Sequence, residues 1–367
     1  MKSLRKIFAM LGLTAVLAVA GCAGGSTHSD VEKAKDLPPL SELTAVEDPS
    51  AYEGPTTVKI PAVDFKPMDK KATPQLPVTV TSNNLSGETQ VTVESVDRVL
   101  ALSLTGSLAD YVYAYGFADK LVGRDISTEL PGYEDLPVVT RNGHSIDPEA
   151  VLDLNPTLII TDGSIGPVDV IEQLADAGVP VVFTKNASTF EESYEQGRHI
   201  AEILGVPELA DPLITDLQKN IDAKIAEVKH LIPTDEAKKP RVAFLYIRGE
   251  GVFYLFGEGS GIDTIFAALG VIDVAKEIGW VGERPMNDEA LVNANPDTIL
   301  VMTKGLASVD GVDGLLEVHP AVVLTDAGKK CRVVDAPDTS LFTGATRAPQ
   351  VIDALARAFY APDSLAE

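Results

Sequence analysis

Only two cysteines, Cys22 and Cys331, occur among 367 residues, so no disulfide framework carries the fold. Basic residues are scarce: 30 Lys and Arg stand against 54 Asp and Glu, a formal charge of −24. So acidic a surface repels phosphate backbones and anionic headgroups, which excludes nucleic acid as a partner. No apolar run reaches the roughly 20 residues that a membrane span needs. The run from Ile7 to Ala20 stops at 14. There is no GxSxG elbow, no HExxH segment and no GK(S/T) phosphate loop, so a lipid-anchored hydrolase or a nucleotide site lacks its residues.

What the chain does hold is a repeat. Residues 149–160, EAVLDLNPTLII, return 140 positions later as 289–300, EALVNANPDTIL. Glu, Ala, Asn and Pro match in register, and the apolar spacing repeats with them. Solenoid units recur every 20–50 residues or so. The longer interval argues instead for two related lobes, each with a short helix, a Pro-containing turn and a buried strand. Two lobes make a cleft, and clefts between domains hold small molecules.

Lys2, Arg5 and Lys6 precede the apolar run, the order of a secretory signal. Val19-Ala20-Gly21-Cys22 closes it in the manner of a bacterial lipobox, which makes Cys22 the diacylated first residue of the mature protein. Cys331 is then left alone. Removing residues 1–21 leaves 346 residues with a charge near −27, enough for two cored domains. The expected location is the extracytoplasmic face of the cell membrane, lipid-anchored at Cys22.

Residues 22–76, rich in Gly, Ser, Pro, Asp and Lys without sustained period, read as a flexible tether. Pro77 to Thr81 and Thr89 to Glu94 alternate as a β-hairpin. Val99 to Leu102 is a buried strand, and a helix follows to about Tyr115. Val122-Gly123, Val138-Val139, Leu158 to Thr161 and Val179 to Phe183 supply further strands between helices, the pattern of a parallel sheet covered on both faces. After a break at Gly205-Val206-Pro207, Leu213, Leu217, Ile221, Ile225 and Val228 form one helical stripe, a stiff spine. The second lobe opens with a strand from Arg241 to Tyr246 and ends in a helix around Val351 to Tyr360. The expectation is an α/β protein with lobes at 77–190 and 232–367 and a spine at 191–231.

Of five histidines, His28 lies in the tether, His199 falls on a polar helix face, and His230 suits a helix C-terminus. His319 precedes Pro320 in a loop, where it can cap or ligate. His144 follows Gly143 in a cleft-side loop. Tyr246, Tyr254 and Phe253 gather at the entrance to the second lobe. Arg248 sets Tyr246 apart, because residues i and i+2 of a strand share a face. Gly249-Glu250-Gly251 and Gly257 to Gly261 fit a hairpin turn and close backbone approach to a ligand. The helix opened by Ser260 to Asp263 has amides that suit a carboxylate.

The assembled pattern resembles the ABC-transporter substrate-binding proteins that carry iron-siderophores, cobalamin and heme. The resemblance spans about residues 77–360. It rests on the hairpin, on RVLALSLTGSLADYVYAYG at 98–116, on both EA…NP repeats, on the spine and on VHPAVVLTDAGKKCRVVDA at 318–336. The actinobacterial hemin-binding lipoproteins match at Asn142-Gly143-His144-Ser145-Ile146-Asp147 and at Phe244-Leu245-Tyr246-Ile247-Arg248-Gly249.

That resemblance implies two Rossmann-like lobes joined by a single long spine helix, closing little on ligand, and a carrier with no catalytic activity. It implies capture of heme (hemin), with heme b as the transported ligand. A ferric siderophore or another large iron or cobalt chelate is the alternative. His144 and Tyr246 would bind iron from opposite faces, with Arg248 supporting the tyrosine. The chemistry is sound: both side chains are known ligands of haem iron, and a guanidinium helps a phenol with pKa near 10 to ionise. Arg284 stands five residues before Glu289, as His144 stands before Glu149, so it is expected at the cleft mouth near a propionate. Met286 and Met302 are candidates to wall the porphyrin. Glu149 and Glu289 would dock, one per lobe, onto an ABC permease dimer with its ATPase subunits. A monomer is expected.

Overall fold

The computed structural model describes residues 37–60, 66–84, 87–342 and 344–365. Cys22, His28 and the signal segment lie outside the described residues.

Part of the expected tether is folded onto the body. Strand β1 (Thr56–Thr57) adds a parallel edge to the second lobe, with Thr56 opposite Val334. Leu40 and Val58 are buried in the core. The cause is Arg332, only 1% exposed, whose guanidinium donates to Gly54 O, Thr56 Oγ1 and Ala358 O and lies over the Tyr52 ring. A buried guanidinium must find acceptors, and the N-terminal segment supplies two of them. Further on, Met68 N donates to Ala114 O and Gln75 N to Gly205 O, against the first lobe. Missing periodicity marked missing regular structure here, not missing contacts.

In the first lobe β2 (Val78–Asn84) and β3 (Gly87–Val93) form the expected hairpin, Val78 opposite Val93. β4 (Val99–Leu102) leads into helix α1 (Ser107–Ala114). Val122-Gly123 and Val138-Val139, expected as strands, give only the single bridges Val99–Leu121 and Arg124–Val138. β5 (Thr140–Arg141) and β6 (Ser145–Ile146) flank a tight turn in which Asn142 and Gly143 have φ of 47° and 88°. Asn and Gly are the residues that accept this left-handed backbone. α2 (Pro148–Asp153), β7 (Leu158–Thr161), α3 (Val168–Asp176) and β8 (Val181–Phe183) complete a parallel sheet of order β4-β7-β8.

α4 (Phe190–Ile203) starts with a capping box between Thr189 and Glu192. After the break at Gly205, α5 (Ala210–Val228) carries the stripe, burying Leu213, Leu217, Ile221 and Val228. It packs against the final helix, Ala348–Tyr360. α5 is the spine.

The second lobe is built on β9 (Arg241–Arg248), β10 (Val252–Phe256), helix α6 (Ile262–Leu269), β11 (Ile272–Asp273), α7 (Val274–Glu277) and β12 (Glu283–Pro285). α8 (Asp288–Ala294), β13 (Thr298–Met302), α9 (Thr303–Ala307) and β14 (Val333–Ala336) follow. The strand order is β1-β14-β13-β9-β10-β12, with β11 on β9. Cys331 is disulfide-bonded, contrary to the expectation of a lone thiol.

The duplication holds at the level of hydrogen bonds. α2 is capped by Asp147 Oδ1 accepting from Ala150 N, and α8 by Asn287 Oδ1 accepting from Ala290 N. Asn155 and Asn295 end the two helices with φ of 46° and 42°. Arg98 donates to the carbonyls of Leu154 and Asn155; Arg241 does the same for Ala294 and Asn295. Leu100 pairs with Ile159 in the first sheet, and Ala243 with Ile299 at the same register in the second. The end of β9 therefore corresponds to the end of β4, facing the same opening.

One buried ion pair joins α1 to the start of the final helix. Arg347 grips Asp110 with Nε–Oδ2 at 2.8 Å and Nη2–Oδ1 at 2.7 Å, and Thr346 Oγ1 donates to the same carboxylate. Nearby, Tyr111 donates its hydroxyl to Ser193 O.

Candidate ligand-binding cleft

Between the lobes lies a cavity of about 910 Å³, at the large end of the roughly 300–1,000 Å³ of small-molecule pockets. The first lobe contributes His144, Asp162 and Ser164. The second contributes Tyr246, Arg248, Tyr254, Phe256, Met302, Lys304 and Asp338.

His144 is carried on the β5–β6 turn, where the left-handed backbone lifts it clear of the sheet. Loss of hydration against the cleft walls, then the Lys304 and Arg248 cations, hold its pKa below the ordinary imidazole value. At neutral pH the ring is therefore an uncharged nitrogen donor.

Tyr246 lies opposite Tyr254 on the β9–β10 hairpin. Its ring stacks on Phe256 with centroids 5.6 Å apart and planes 21° from parallel. Arg248 shares the face, as strand alternation requires, and its guanidinium sits 4.6 Å from the Tyr246 ring centroid. Three acceptors fix that guanidinium: Asp338 Oδ1 at 2.7 Å, Ile247 O at 2.8 Å and Met302 Sδ at 3.3 Å. The turn at Gly249-Glu250-Gly251 is the expected hairpin.

Two expected site residues lie elsewhere. Arg284 is exposed on edge strand β12, opposite Leu255, and does not line the cavity; its neighbour Glu283 does. The pleat decides this, since adjacent strand residues point to opposite faces. Met286 is 8% exposed and fills the second-lobe core with Leu245, Phe253 and Leu291. Met302 does line the cavity. The amides before α6 are taken within the chain, because Asp263 accepts from Gly259 N and Gly261 N.

The other histidines among the described residues have local roles. His319 is buried and stacks on Phe253 with centroids 4.0 Å apart. His230 contacts the Glu227 carbonyl at the end of α5. His199 is half-buried rather than solvated, and burial lowers its pKa. Lys304, Asp162, Ser164 and Asp338 were not singled out from the sequence. Extending the 140-residue offset beyond the twelve matched residues would have paired Asp162 with Met302 and Ser164 with Lys304, all four in the cavity.

Two lobes on matching sheets, joined by a stiff helix and walling one large cavity, define a protein built to hold a small molecule between its halves. Residues 102–339 match the model of the periplasmic binding protein family, and the chain belongs to that family. It is 36% identical to the crystal structure of the heme binding protein HmuT, covering 86% of this chain and 99% of that one, with a TM-score of 0.76. Variants of HmuT with a tyrosine, a histidine or an arginine changed to alanine are similar too, the tyrosine and arginine being two positions apart. The apo form of the periplasmic heme-binding protein RhuT from Roseiflexus sp. RS-1 is 32% identical, covering 73% of this chain and 99% of that one, with a TM-score of 0.64. The uncharacterized ABC transporter substrate-binding lipoprotein YvrC of Bacillus subtilis (strain 168) is 28% identical over 304 residues, which is 81% of this chain and 90% of that protein.

Proposed function

We propose that this protein is the substrate-binding lipoprotein of an ABC importer, taking up heme b outside the cell and delivering it to a permease dimer with its ATPase subunits. One observation carries the reading: His144 and Tyr246 face a single cavity from opposite lobes, with Arg248 packed on the tyrosine ring. In this reading the two side chains take the axial positions of ferric iron, while Phe256, Tyr254 and Met302 offer flat or adaptable contact to the macrocycle. The protein acts by holding its cargo, as a monomer. In this reading diacylation of Cys22 anchors it.

The test is titration of the purified protein with hemin, expected to give a Soret band saturating at one equivalent. Absence of a saturable band would sink the reading. The same preparation tests Arg248. With heme bound, its cation, 4.6 Å from the Tyr246 ring centroid, biases the iron–oxygen contact toward an anionic ligand. Arg248→Ala removes that bias, and heme should be released at a higher pH than from the wild type as acid is added. Coincident release curves would leave Arg248 without this role.

Glu149 and Glu289 occupy the second positions of α2 and α8, both exposed and outside the cavity. The caps of these helices are Asp147 and Asn287, which leaves the glutamates for another use. We assign them to registration on the two permease subunits, one contact per lobe. Exposed ion pairs contribute about 0–1 kcal/mol each, so they align rather than bind tightly. Glu149→Ala combined with Glu289→Ala should leave the melting curve and hemin titration nearly unchanged while slowing growth on heme as sole iron source. Growth at the wild-type rate would overturn the docking role.

A further inference from the structure

The charges of the cavity are unevenly paired. Arg248 is bound to Asp338, and Asp162 accepts from Ser164. Lys304 differs. Its backbone N–H donates to Asp338 Oδ2 at 2.9 Å, which pins the start of α9. Lys304 lines the cavity, and its ammonium has no hydrogen bond or ion pair among the described residues. Arg284, exposed on β12, does not line the cavity.

Lys304 also acts across the cleft, since its charge lowers the His144 pKa more than that of Arg248 does, and both residues line the same cavity. It stands at the repeat position of Ser164, so the two lobes present a cation and a hydroxyl at equivalent points of one opening. Asp162, Glu283 and Asp338 line the same cavity in a chain of net charge −24. A ligand bearing carboxylates is repelled by that field unless a local cation meets it. Arg248 already has its carboxylate.

We propose that Lys304 is the carboxylate-binding residue of the cleft: its ammonium receives an acid group on the edge of the ligand, on the His144 side. This rests on the heme reading and deepens it, because it names which part of the cargo the second lobe recognises apart from iron. The contact requires the ligand to be an acid as well as a macrocycle, so Lys304 sets specificity without touching the metal.

The experiment compares hemin with hemin dimethyl ester, whose acid groups are masked, on wild type, Lys304→Gln and Lys304→Arg. Wild type should prefer the free acid about tenfold, equivalent to the ~1.4 kcal/mol of one charge-assisted contact. Lys304→Gln should lose that preference by weakening on hemin alone, with the Soret maximum unmoved. Lys304→Arg should restore it. Equal binding of acid and ester by the wild type, or a preference retained in Lys304→Gln, would overturn the inference and leave the heme reading standing. No hemin binding by the wild type would overturn the heme reading and this inference with it.

Discussion

Tyr246→Ala is expected to weaken hemin binding by about 100-fold and to move both the Soret and charge-transfer bands. Loss of groups that merely support metal ligands costs about 10–100-fold, so removing a ligand should stand at or beyond the upper end, near ~2.7 kcal/mol. Tyr246 would contribute in two ways: an anionic oxygen suited to ferric iron, and a ring stacked on Phe256 that walls the cavity. Tyr246→Phe separates them by keeping the wall and deleting the oxygen. If the phenylalanine variant binds like wild type with the same spectrum, Tyr246 is only a wall. His144→Ala should weaken binding less, about tenfold, because a neutral donor on an exposed turn must also lose side-chain freedom when it binds. Its spectral change should be distinct from that of Tyr246→Ala, since the two donors approach from opposite lobes. Unchanged spectra in both would remove the axial assignment altogether.

Asp110→Ala should cost about 3–5 kcal/mol of stability, the range for a buried ion pair that loses one partner. Asp110 is 0% exposed and Arg347 8%. Deleting the carboxylate strands the guanidinium, which keeps a bond to the Glu129 carbonyl and a 3.9 Å approach to the Glu129 carboxylate. That residual partner argues for the lower half of the range. Domains are stable by roughly 5–15 kcal/mol, so the melting temperature should fall on the order of 10 °C. Asp110→Leu with Arg347→Met should recover most of the loss, because the desolvation cost disappears together with the attraction. A fall of under about 1 kcal/mol in the single variant would show that Glu129 replaces Asp110 outright.

The two-lobed α/β architecture was legible because its signals are local. Alternation marked the β2–β3 hairpin, continuous apolar runs marked β4 and β7, and spacings of four and three marked α5. The placement of His144, Tyr246 and Arg248 around one opening was legible from motif and strand parity together. Arg284 was misplaced by carrying the repeat from the β5–β6 turn, where side chains have latitude, into β12, where the pleat fixes their direction. Lys304 and Asp338 gave no local signal. They meet because β13 and β14 are parallel neighbours, a pairing that sequence spacing does not reveal. The docking of residues 37–60 was hidden for the same reason: it depends on Arg332, almost three hundred positions away, being buried and needing acceptors.

That docking also closes an edge. β1 pairs in parallel with β14, so β14 is hydrogen-bonded on both sides, by β1 and by β13. A bare strand at a sheet margin offers its N–H and C=O groups to any extended chain that meets it. The N-terminal segment therefore does for the margin of the second sheet what a cap does for a helix end.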